Sequence, residues 1–384
     1  MTRARALRVL FVQPSFSPPG GGNGVAAWML QALAGTHDVT VLSWTPVDFD
    51  VMNRFWGTSL APGDCRLLRV PALIRRPLER MPLPLGLVRT AVMLRMARRL
   101  RARFDVPITC NNEADFGGLG VQYLHYPFHA PRPAADMRRY HVGPLLRAYY
   151  ALCWRMAGFS LARARRNITL VNSDWTGRLI GAHGFVSRTV YPPVVAPAEA
   201  PSWEQRAPGF VCIGRIVPEK ELDRVIDIVA GVRRRVPEVT LHLVGTGDHA
   251  AYFQHVSRRA RAEGFSVHEG LSRPTLAALV AGNRYGIHGM REEHFGMAPA
   301  EMVRAGCLVW VPNGGGQVEI VGDPRLAYDA VDEAIGKIVA TLHDPHEETM
   351  LRKHLAERGE QFSPERFVRE VRTAVADAAA GRTP

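Results

Sequence analysis

The sequence alternates short apolar runs with helical patterns, and this alternation starts anew after a proline-rich segment, residues 192–208. Strands that alternate with helices are typical of parallel α/β layers. The apolar runs are Leu7–Val12, Val39–Ser43, Arg66–Val70, Val106–Cys110, Gly120–His125, Ile168–Asn172 and Arg188–Tyr191 before the segment, and Phe210–Gly214, Thr240–Gly245, Ser266–His268, Tyr285–His288 and Leu308–Val311 after it. We therefore predict two α/β domains, residues 1–193 and 209–384, joined by a linker. The last helical segment, Pro364 to Ala380, is expected to be able to pack back on the first domain.

The length of 384 residues suits two domains of about 150–200 residues each. No run of about 18 uncharged apolar residues occurs, and the run Leu7–Val12 is too short for a signal peptide. We therefore expect a cytoplasmic protein. Its five scattered cysteines are expected to be reduced core thiols, because they form no Cys-x-x-Cys pair and no metal-ligand spacing.

The net charge of +12 is concentrated in one stretch, since eleven arginines and a single acid lie between Arg66 and Phe104. Such a surface suits anionic lipid or phosphorylated substrates. Nucleic acid is not expected as a partner, because the stretch has no interleaved aromatic residues and no binding motif. Within it, Leu83–Phe104 has apolar residues at near-helical spacing, which fits either a helix packed on the sheet or an interfacial helix on anionic lipid.

The most informative motif contains two carboxylates, Glu293 and Glu301, separated by seven residues. It follows a predicted strand and leads into a helix, which must begin near Gly296–Ala298 because Pro299 is tolerated only in a first helical turn. The free backbone amides of that turn, Gly296 to Ala298, would bind an anion at the carboxyl end of the strand. The two carboxylates could then face opposite ends of one ligand.

A second motif directly follows the first strand of the second domain and runs from Gly214 to Lys220. A glycine lets the backbone approach a ligand closely. Arg215 and Lys220 could flank a diphosphate, the first with a planar guanidinium and the second with a point charge.

Together these motifs resemble the retaining glycosyltransferases of family 4, which have the GT-B fold, and the resemblance covers nearly the whole chain. It includes the glycines at 20–22 after the first strand, Asn172-Ser173 at a strand end, and the segment 315–319. Segments 122–127 and 172–176 look most like the branch of mannosyltransferases that extend lipid-linked oligosaccharides. The expected fold is therefore GT-B, with two Rossmann-like domains whose parallel sheets face a cleft.

The resemblance implies a role for each matching residue. Arg215 and Lys220 would hold the donor diphosphate, Glu293 the sugar hydroxyls and Glu301 the ribose hydroxyls. His125 would lie near the sugar. The remaining candidate donor-binding residues are Gly21, Gly22, Gly214, Gly270, Leu271, Gly296, Met297 and Ala298. Glu221 departs from the family pattern, which usually has glycine after the lysine.

The implied activity is retaining, metal-independent transfer of a sugar from a UDP- or GDP-sugar to a glycan, lipid-linked or small-molecule acceptor. No cofactor is expected, and contact with an anionic membrane at the inner face is left open. Two alternatives remain, a nucleotide-sugar epimerase on the same fold and a non-catalytic membrane-associated protein.

Three weaker patterns also occur in the sequence. Residues 22–27 fit G-x-G-x-x-A, but they begin about ten residues beyond the strand and no acid follows at ribose-binding distance, which disfavours NAD. Asp48-Phe49-Asp50 imitates a metal-binding Asp-x-Asp motif without a third ligand. Glu113, after the strand ending at Cys110, is either an acceptor contact or an ordinary loop residue.

Overall fold

The computed structural model describes residues 6–18, 20–81, 85–129, 143–197, 199–247 and 249–382. The chain forms two compact units, one of Met1–Tyr191 with Glu365–Pro384 and the other of Pro192–Pro364. None of the helices described is long and apolar enough to cross a membrane.

The first unit is built on a seven-stranded sheet in which every strand pair is parallel. Its strands are β1 (Arg8–Val12), β2 (Asp38–Ser43), β3 (Arg66–Arg69), β4 (Val106–Thr109), β5 (Val121–Leu124), β6 (Ile168–Val171) and β7 (Ser187–Thr189), and its helices are α1 (Gly21–Leu33), α2 (Phe49–Trp56), α3 (Ala72–Arg80), α4 (Gly86–Leu100), α5 (Pro144–Ala157), α6 (Leu161–Ala164) and α7 (Asp174–Gly181). The strand order is β3-β2-β1-β4-β5-β6-β7, so the direction of winding reverses between β1 and β4. Ligands of such sheets bind beyond the carboxyl ends of the strands at this reversal.

The second unit contains a six-stranded parallel sheet of order β10-β9-β8-β11-β12-β13. The strands are β8 (Ala207–Ile213), β9 (Thr240–Gly245), β10 (Ser266–Glu269), β11 (Asn283–Ile287), β12 (Leu308–Pro312) and β13 (Ala327–Tyr328), and the helices are α8 (Leu222–Arg233), α9 (Ala250–Ala262), α10 (Arg273–Ala281), α11 (Met297–Arg304), α12 (Gln317–Val321), α13 (Val331–His343) and α14 (Pro345–Gly359). Here the winding reverses between β8 and β11.

The two parallel α/β sheets confirm the predicted fold class. Each of the twelve predicted strands is present, with ends shifted by at most three residues. Buried strands of parallel sheets read as continuous apolar runs, which is why they are visible in the sequence. The two-residue strand β13 was missed because it is too short to produce a pattern. All five cysteines are buried, with free thiols.

The predicted linker, residues 192–208, makes specific contacts in the structure. Its residues belong to the second unit, where the Val194 amide donates to the Phe362 carbonyl at 2.8 Å. The Trp203 ring is buried against Tyr285, and the Arg352 guanidinium lies 4.0 Å from its centroid. The segment is rich in proline and alanine and shows no periodicity, so the sequence did not indicate that Val194 and Trp203 anchor it.

The last helix, α15 (Pro364–Ala379), packs in the core of the first unit. The side chains of Phe367, Val371 and Val375 are fully buried there, and the Phe367 ring lies 6.2 Å from that of Tyr123 on β5. The Arg372 guanidinium donates to the Ala32 carbonyl at 2.7 Å. The end of the chain therefore completes the core of the unit in which the chain begins.

Phe367→Ala should lower the free energy of unfolding by about 3–5 kcal/mol, because it leaves a cavity in this core. The measurement is urea denaturation. Arg369→Ala on the exposed face of the same helix is the control and should have little effect. Equal stability of the two variants would show that α15 does not contribute to the core.

Candidate functional site

Three side chains of the second unit meet at the carboxyl ends of β8 and β11, where the winding reverses. Lys220 ends a 3-10 turn, Pro218–Lys220, that follows β8, and His288 directly follows β11. The Glu293 carboxylate accepts hydrogen bonds from the Lys220 ammonium and from His288 Nε2, the latter at 3.2 Å. The His288 ring is buried, whereas about a fifth of each of the other two side chains is exposed. Lys220 and Glu293 can therefore contact a ligand. His288 is buried and holds the Glu293 carboxylate through its hydrogen bond.

The electrostatics keep this carboxylate charged. Burial raises the pKa of Glu293, but the hydrogen bond from His288 and the charge of Lys220 outweigh it and lower the pKa to about 2. Burial lowers the pKa of His288 despite the neighbouring carboxylate, so at neutral pH a neutral imidazole donates its Nε2 proton to Glu293. Because the folded pKa of Glu293 is depressed, the pairing stabilises the fold above the ordinary carboxyl pKa, and this contribution is lost as the pH falls towards 2.

Arg215 lies beside this cluster. Gly214, which follows β8, has a φ of 143°, a conformation that favours glycine, and Arg215 comes next on the surface. A small cavity is lined by Gly214, Arg215, Lys220 and His288 among others. The structure thus brings Arg215, Lys220 and Glu293 together at one edge of the second sheet.

Helix α11 begins at the same edge and has the predicted start. Gly296 is its N-cap with a φ of 110°, and the helix begins at Met297 with Pro299 in its first turn. The amides of a first helical turn have no partner within the helix, so those of Met297 and Ala298 are available to an anion. An anion bound there would lie at the same edge of the sheet as the Lys220 ammonium.

Glu301 lies one turn into α11 and belongs to a separate ion pair. Its carboxylate lies 3.3 Å from the guanidinium of Arg273, the first residue of α10. Gly270 and Leu271 form the loop between β10 and α10, so this ion pair joins their segment to α11. Glu293 and Glu301 therefore pair with two different cations, Lys220 and Arg273.

Gln317 lies in the segment 315–319 that carries the resemblance, at a position where proline is common in the family, but the sequence did not show that its side chain anchors the Glu293 loop. Its side chain is fully buried, and Nε2 donates to the carbonyls of Met290 at 2.7 Å and Gly314 at 3.1 Å. The Gly316 amide donates to the Glu293 carbonyl at 2.7 Å. A Cβ on Gly315 would collide with the Glu293 backbone, so this close approach requires glycine. The glycines of segment 314–317 indicate that the backbone is closely approached there. The sequence does not show that the approaching segment is the Glu293 loop.

Glu221, where the resembling family usually has glycine, has a φ of 46°. A non-glycine residue in this left-handed region costs roughly 1–2 kcal/mol. Its carboxylate pairs with the Arg291 and Arg224 guanidinium groups at 3.2 Å each. The Arg291 pair links the turn that carries Lys220 to the loop that carries Glu293.

The candidate residues of the first unit also gather at one edge of their sheet. Gly21 and Gly22 begin α1 after β1, and a Cβ on Gly22 would lie 3.3 Å from His125 Nε2. His125 follows β5, and the thiol of Cys110, after β4, lies 3.6 Å from its Nε2. The glycine loop, Cys110 and His125 thus meet beyond the carboxyl ends of β1, β4 and β5.

Two other sequence candidates have structural roles. Glu113 is 1% exposed, and its carboxylate accepts from the amides of Phe128 and His129 at 3.1 Å, so it anchors a loop and does not contact an acceptor. Asp48 caps α2 by accepting from the Val51 amide at 3.0 Å. The part of the chain that the structure describes contains no group of three His, Cys, Asp or Glu side chains that could hold a metal.

The segment Leu83–Phe104 contains α4, Gly86–Leu100, followed by a 3-10 turn, Arg101–Arg103, and residues 83 and 84 lie outside the described part of the chain. Its apolar side chains pack in a core cluster of the first unit, which overturns the interpretation of an apolar face turned to lipid. Arg98 is not a surface charge either, because its guanidinium pairs with the buried Asp115 carboxylate at 2.9 Å. Arg95, Arg99 and Arg103 are exposed.

Part of the second unit matches a known protein family. Residues 199–362 match the family model described as glycosyl transferases group 1. No curated protein matches the chain significantly.

Several solved structures share the architecture. HepE of Anabaena in complex with UDP-glucose is 14% identical, with a TM-score of 0.67 over 97% of this chain and 100% of that one. WaaG, a glycosyltransferase involved in lipopolysaccharide biosynthesis, is 17% identical, with a TM-score of 0.64 over 94% and 99% of the chains. Sucrose-phosphate synthase of Thermosynechococcus elongatus is 16% identical, with a TM-score of 0.68 over 98% and 100%. At these identities the likeness establishes the GT-B fold.

Gln317→Leu should lower the free energy of unfolding by about 1–3 kcal/mol, because buried carbonyls of the Glu293 loop lose their donor. It should also shift the NMR resonances of the His288 ring as Glu293 moves. Gln254→Leu, at an exposed position on α9, is the control. Unchanged His288 resonances in a folded Gln317→Leu protein would show that Gln317 does not position Glu293.

Proposed function

We propose that this chain transfers a sugar from a nucleotide diphosphate sugar to an acceptor. The observation that carries the proposal is the cluster of Lys220, Glu293 and His288 beside Arg215 and the start of α11. It lies inside the segment that matches the glycosyl transferase family model. The solved HepE structure with UDP-glucose, which has the same fold, supports a nucleotide-sugar donor.

The cations and amides of this site suit a diphosphate. Arg215 can bind two phosphate oxygens with its planar guanidinium, and Lys220 adds a point charge. The first amides of α11, at Met297 and Ala298, donate to a further oxygen. These groups are in place before the reaction, so they stabilise the negative charge that grows on the leaving nucleotide diphosphate.

Glu293 suits the sugar. Its carboxylate stays ionised because of Lys220 and His288, and an ionised carboxylate is a strong acceptor for sugar hydroxyls. Lys220 then lies between the carboxylate and the phosphates and can bind both. Glu301 on α11 would accept the ribose hydroxyls, and Gly270 and Leu271 would lie beside the nucleoside.

The proposed reaction is retaining and occurs at the front face of the sugar. The bond between the anomeric carbon and the phosphate oxygen breaks, and the acceptor oxygen forms the new bond on the same face. The proton of the acceptor hydroxyl passes to the departing phosphate. His125 and the Gly21–Gly22 loop are the proposed contributions of the first unit.

The charge distribution bears on the acceptor. The first unit carries 29 Lys and Arg residues against 13 Asp and Glu, whereas the second carries 19 against 23. Among glycans, lipid-linked compounds and small molecules, an acceptor that contains phosphate or another anion is favoured. The cytoplasm, with peripheral contact at the inner membrane face, is the proposed location.

The proposal is tested by thermal shift with a panel of UDP-, GDP- and TDP-sugars. A ligand at 100 times its dissociation constant adds about 2.7 kcal/mol to the free energy of unfolding. Bound donors are then incubated with candidate acceptors, and products are identified by mass spectrometry. Turnover of the donor in the absence of any acceptor would indicate an epimerase, and absence of binding throughout would contradict the proposal.

Lys220→Ala and Arg215→Ala should each lower kcat about 10²-fold or more, because each removes a charge that stabilises the leaving group. Lys353→Ala, at an exposed position on α14, controls for the loss of one surface cation. Steady-state kinetics with the identified donor make the comparison. Full activity of either site variant would remove that residue from the diphosphate site.

Transfer should persist in EDTA, because Arg215, Lys220 and the α11 amides supply the charge stabilisation that a divalent ion provides elsewhere. The assay is product formation with and without the chelator. Loss of activity with recovery on adding manganese would contradict metal independence.

A further inference from the structure

A cysteine and a histidine meet beyond the carboxyl ends of two neighbouring strands of the first unit. Cys110 directly follows β4, His125 directly follows β5, and the two strands pair in the sheet. The Cys110 thiol lies 3.6 Å from His125 Nε2, within the range of a hydrogen bond that involves sulfur. The contact therefore joins a residue of the candidate site to a buried thiol.

The thiol of Cys110 stays protonated. The residue is 2% exposed, and burial raises the pKa of the thiol well above its usual value. A thiol that is both buried and protonated is not a nucleophile towards a substrate. It can instead donate its S–H to a neighbouring acceptor.

The chemistry of the two groups gives this hydrogen bond a direction. An imidazole nitrogen without hydrogen is an acceptor, whereas sulfur is only a weak one, so the favourable arrangement is S–H to Nε2. A nitrogen that accepts carries no hydrogen, and the single proton of a neutral imidazole then lies on Nδ1. The contact thus selects one of the two tautomers of His125.

Other contacts hold the histidine in this orientation. The Tyr123 ring lies against it, with the ring centroids 5.2 Å apart, and Asn172 Nδ2 donates to the His125 carbonyl at 3.0 Å. A Cβ on Gly22 would lie 3.3 Å from Nε2, so the glycine allows α1 to begin close to this edge of the ring. The Nε2 edge is therefore held next to Cys110.

We propose that Cys110 is a positioning residue, whose thiol places the ring proton of His125 on Nδ1. His125 then acts as a hydrogen-bond donor through Nδ1, and the chemistry that it recognises is an oxygen of a sugar or a phosphate. It does not act as a base through Nε2, because the one lone pair of that nitrogen is occupied by the thiol.

This assignment deepens the proposed function, and its catalytic part rests on it. In the proposed transfer the proton of the acceptor hydroxyl passes to the departing phosphate. The reaction then needs no histidine base, and a histidine that donates can hold a substrate oxygen in place.

The tautomer is tested by long-range proton–nitrogen NMR of the full chain with labelled histidine, at mildly alkaline pH where imidazoles are neutral. His125→Gln identifies the resonances. We expect the proton on Nδ1 in the wild type and in Cys110→Ser, which keeps a donor at this position. Cys110→Ala removes the donor and should transfer a large part of the population to Nε2. Thermal unfolding shows whether each variant is folded.

Steady-state kinetics test the consequence for the transfer. Cys110→Ala should lower kcat about threefold to tenfold, the size expected for one weak hydrogen bond, and Cys110→Ser should restore most of it. The affinity for the bare nucleotide should not change in either variant.

Cys153 provides a matched control. It is 1% exposed and belongs to a different core cluster of the same unit. Cys153→Ala should destabilise the fold as any buried truncation does, while the His125 tautomer and kcat stay those of the wild type.

Four results would overturn the proposal. They are a wild-type His125 with its proton on Nε2, an unchanged tautomer in folded Cys110→Ala, a shifted tautomer with wild-type kcat, and an equal loss of kcat in Cys153→Ala. The NMR measurement needs neither donor nor acceptor. A failure of the proposed function is recognised separately, as an absence of nucleotide-sugar binding.

Discussion

The candidate site depends on one constraint, that a largely buried carboxylate must stay ionised. Charge in a protein interior is costly unless it is paired and hydrogen-bonded. Glu293 meets this condition because Lys220 and His288 reach it from the segments that follow two neighbouring strands, β8 and β11. The strand order of the second sheet, which reverses at that point, is what makes the pairing available.

Backbone geometry then fixes where this carboxylate points. Gly296 and Gly315 have positive φ values that favour glycine, and Gln317 ties the loop to its neighbours through a buried amide. Glu221 adopts a left-handed conformation and compensates with its ion pairs to Arg291 and Arg224. These contacts fix the position of the loops around Glu293. Such preorganisation is expected where charges must stabilise a transition state.

The sequence predicted the strands and helices well, but it did not predict which distant residues contact each other. Continuous apolar runs revealed the parallel strands, and Pro299 revealed the start of α11, because both signals are local. The apolar spacing of α4 is the same for a helix in a core and a helix on a membrane, so only the structure could show that it is buried. The Gln317 contacts and the Arg98–Asp115 pair join segments that are distant in sequence. No local pattern in either segment identifies its partner.

The central claim is that Glu293 recognises the sugar, whereas Arg215, Lys220 and α11 recognise the diphosphate. Isothermal titration of a nucleotide sugar and of the bare nucleotide into the wild type and Glu293→Gln tests it most directly. We expect the nucleotide sugar to bind more tightly than the nucleotide in the wild type, and this advantage to disappear in the variant while nucleotide affinity is retained. An equal loss of affinity for both ligands would contradict the claim.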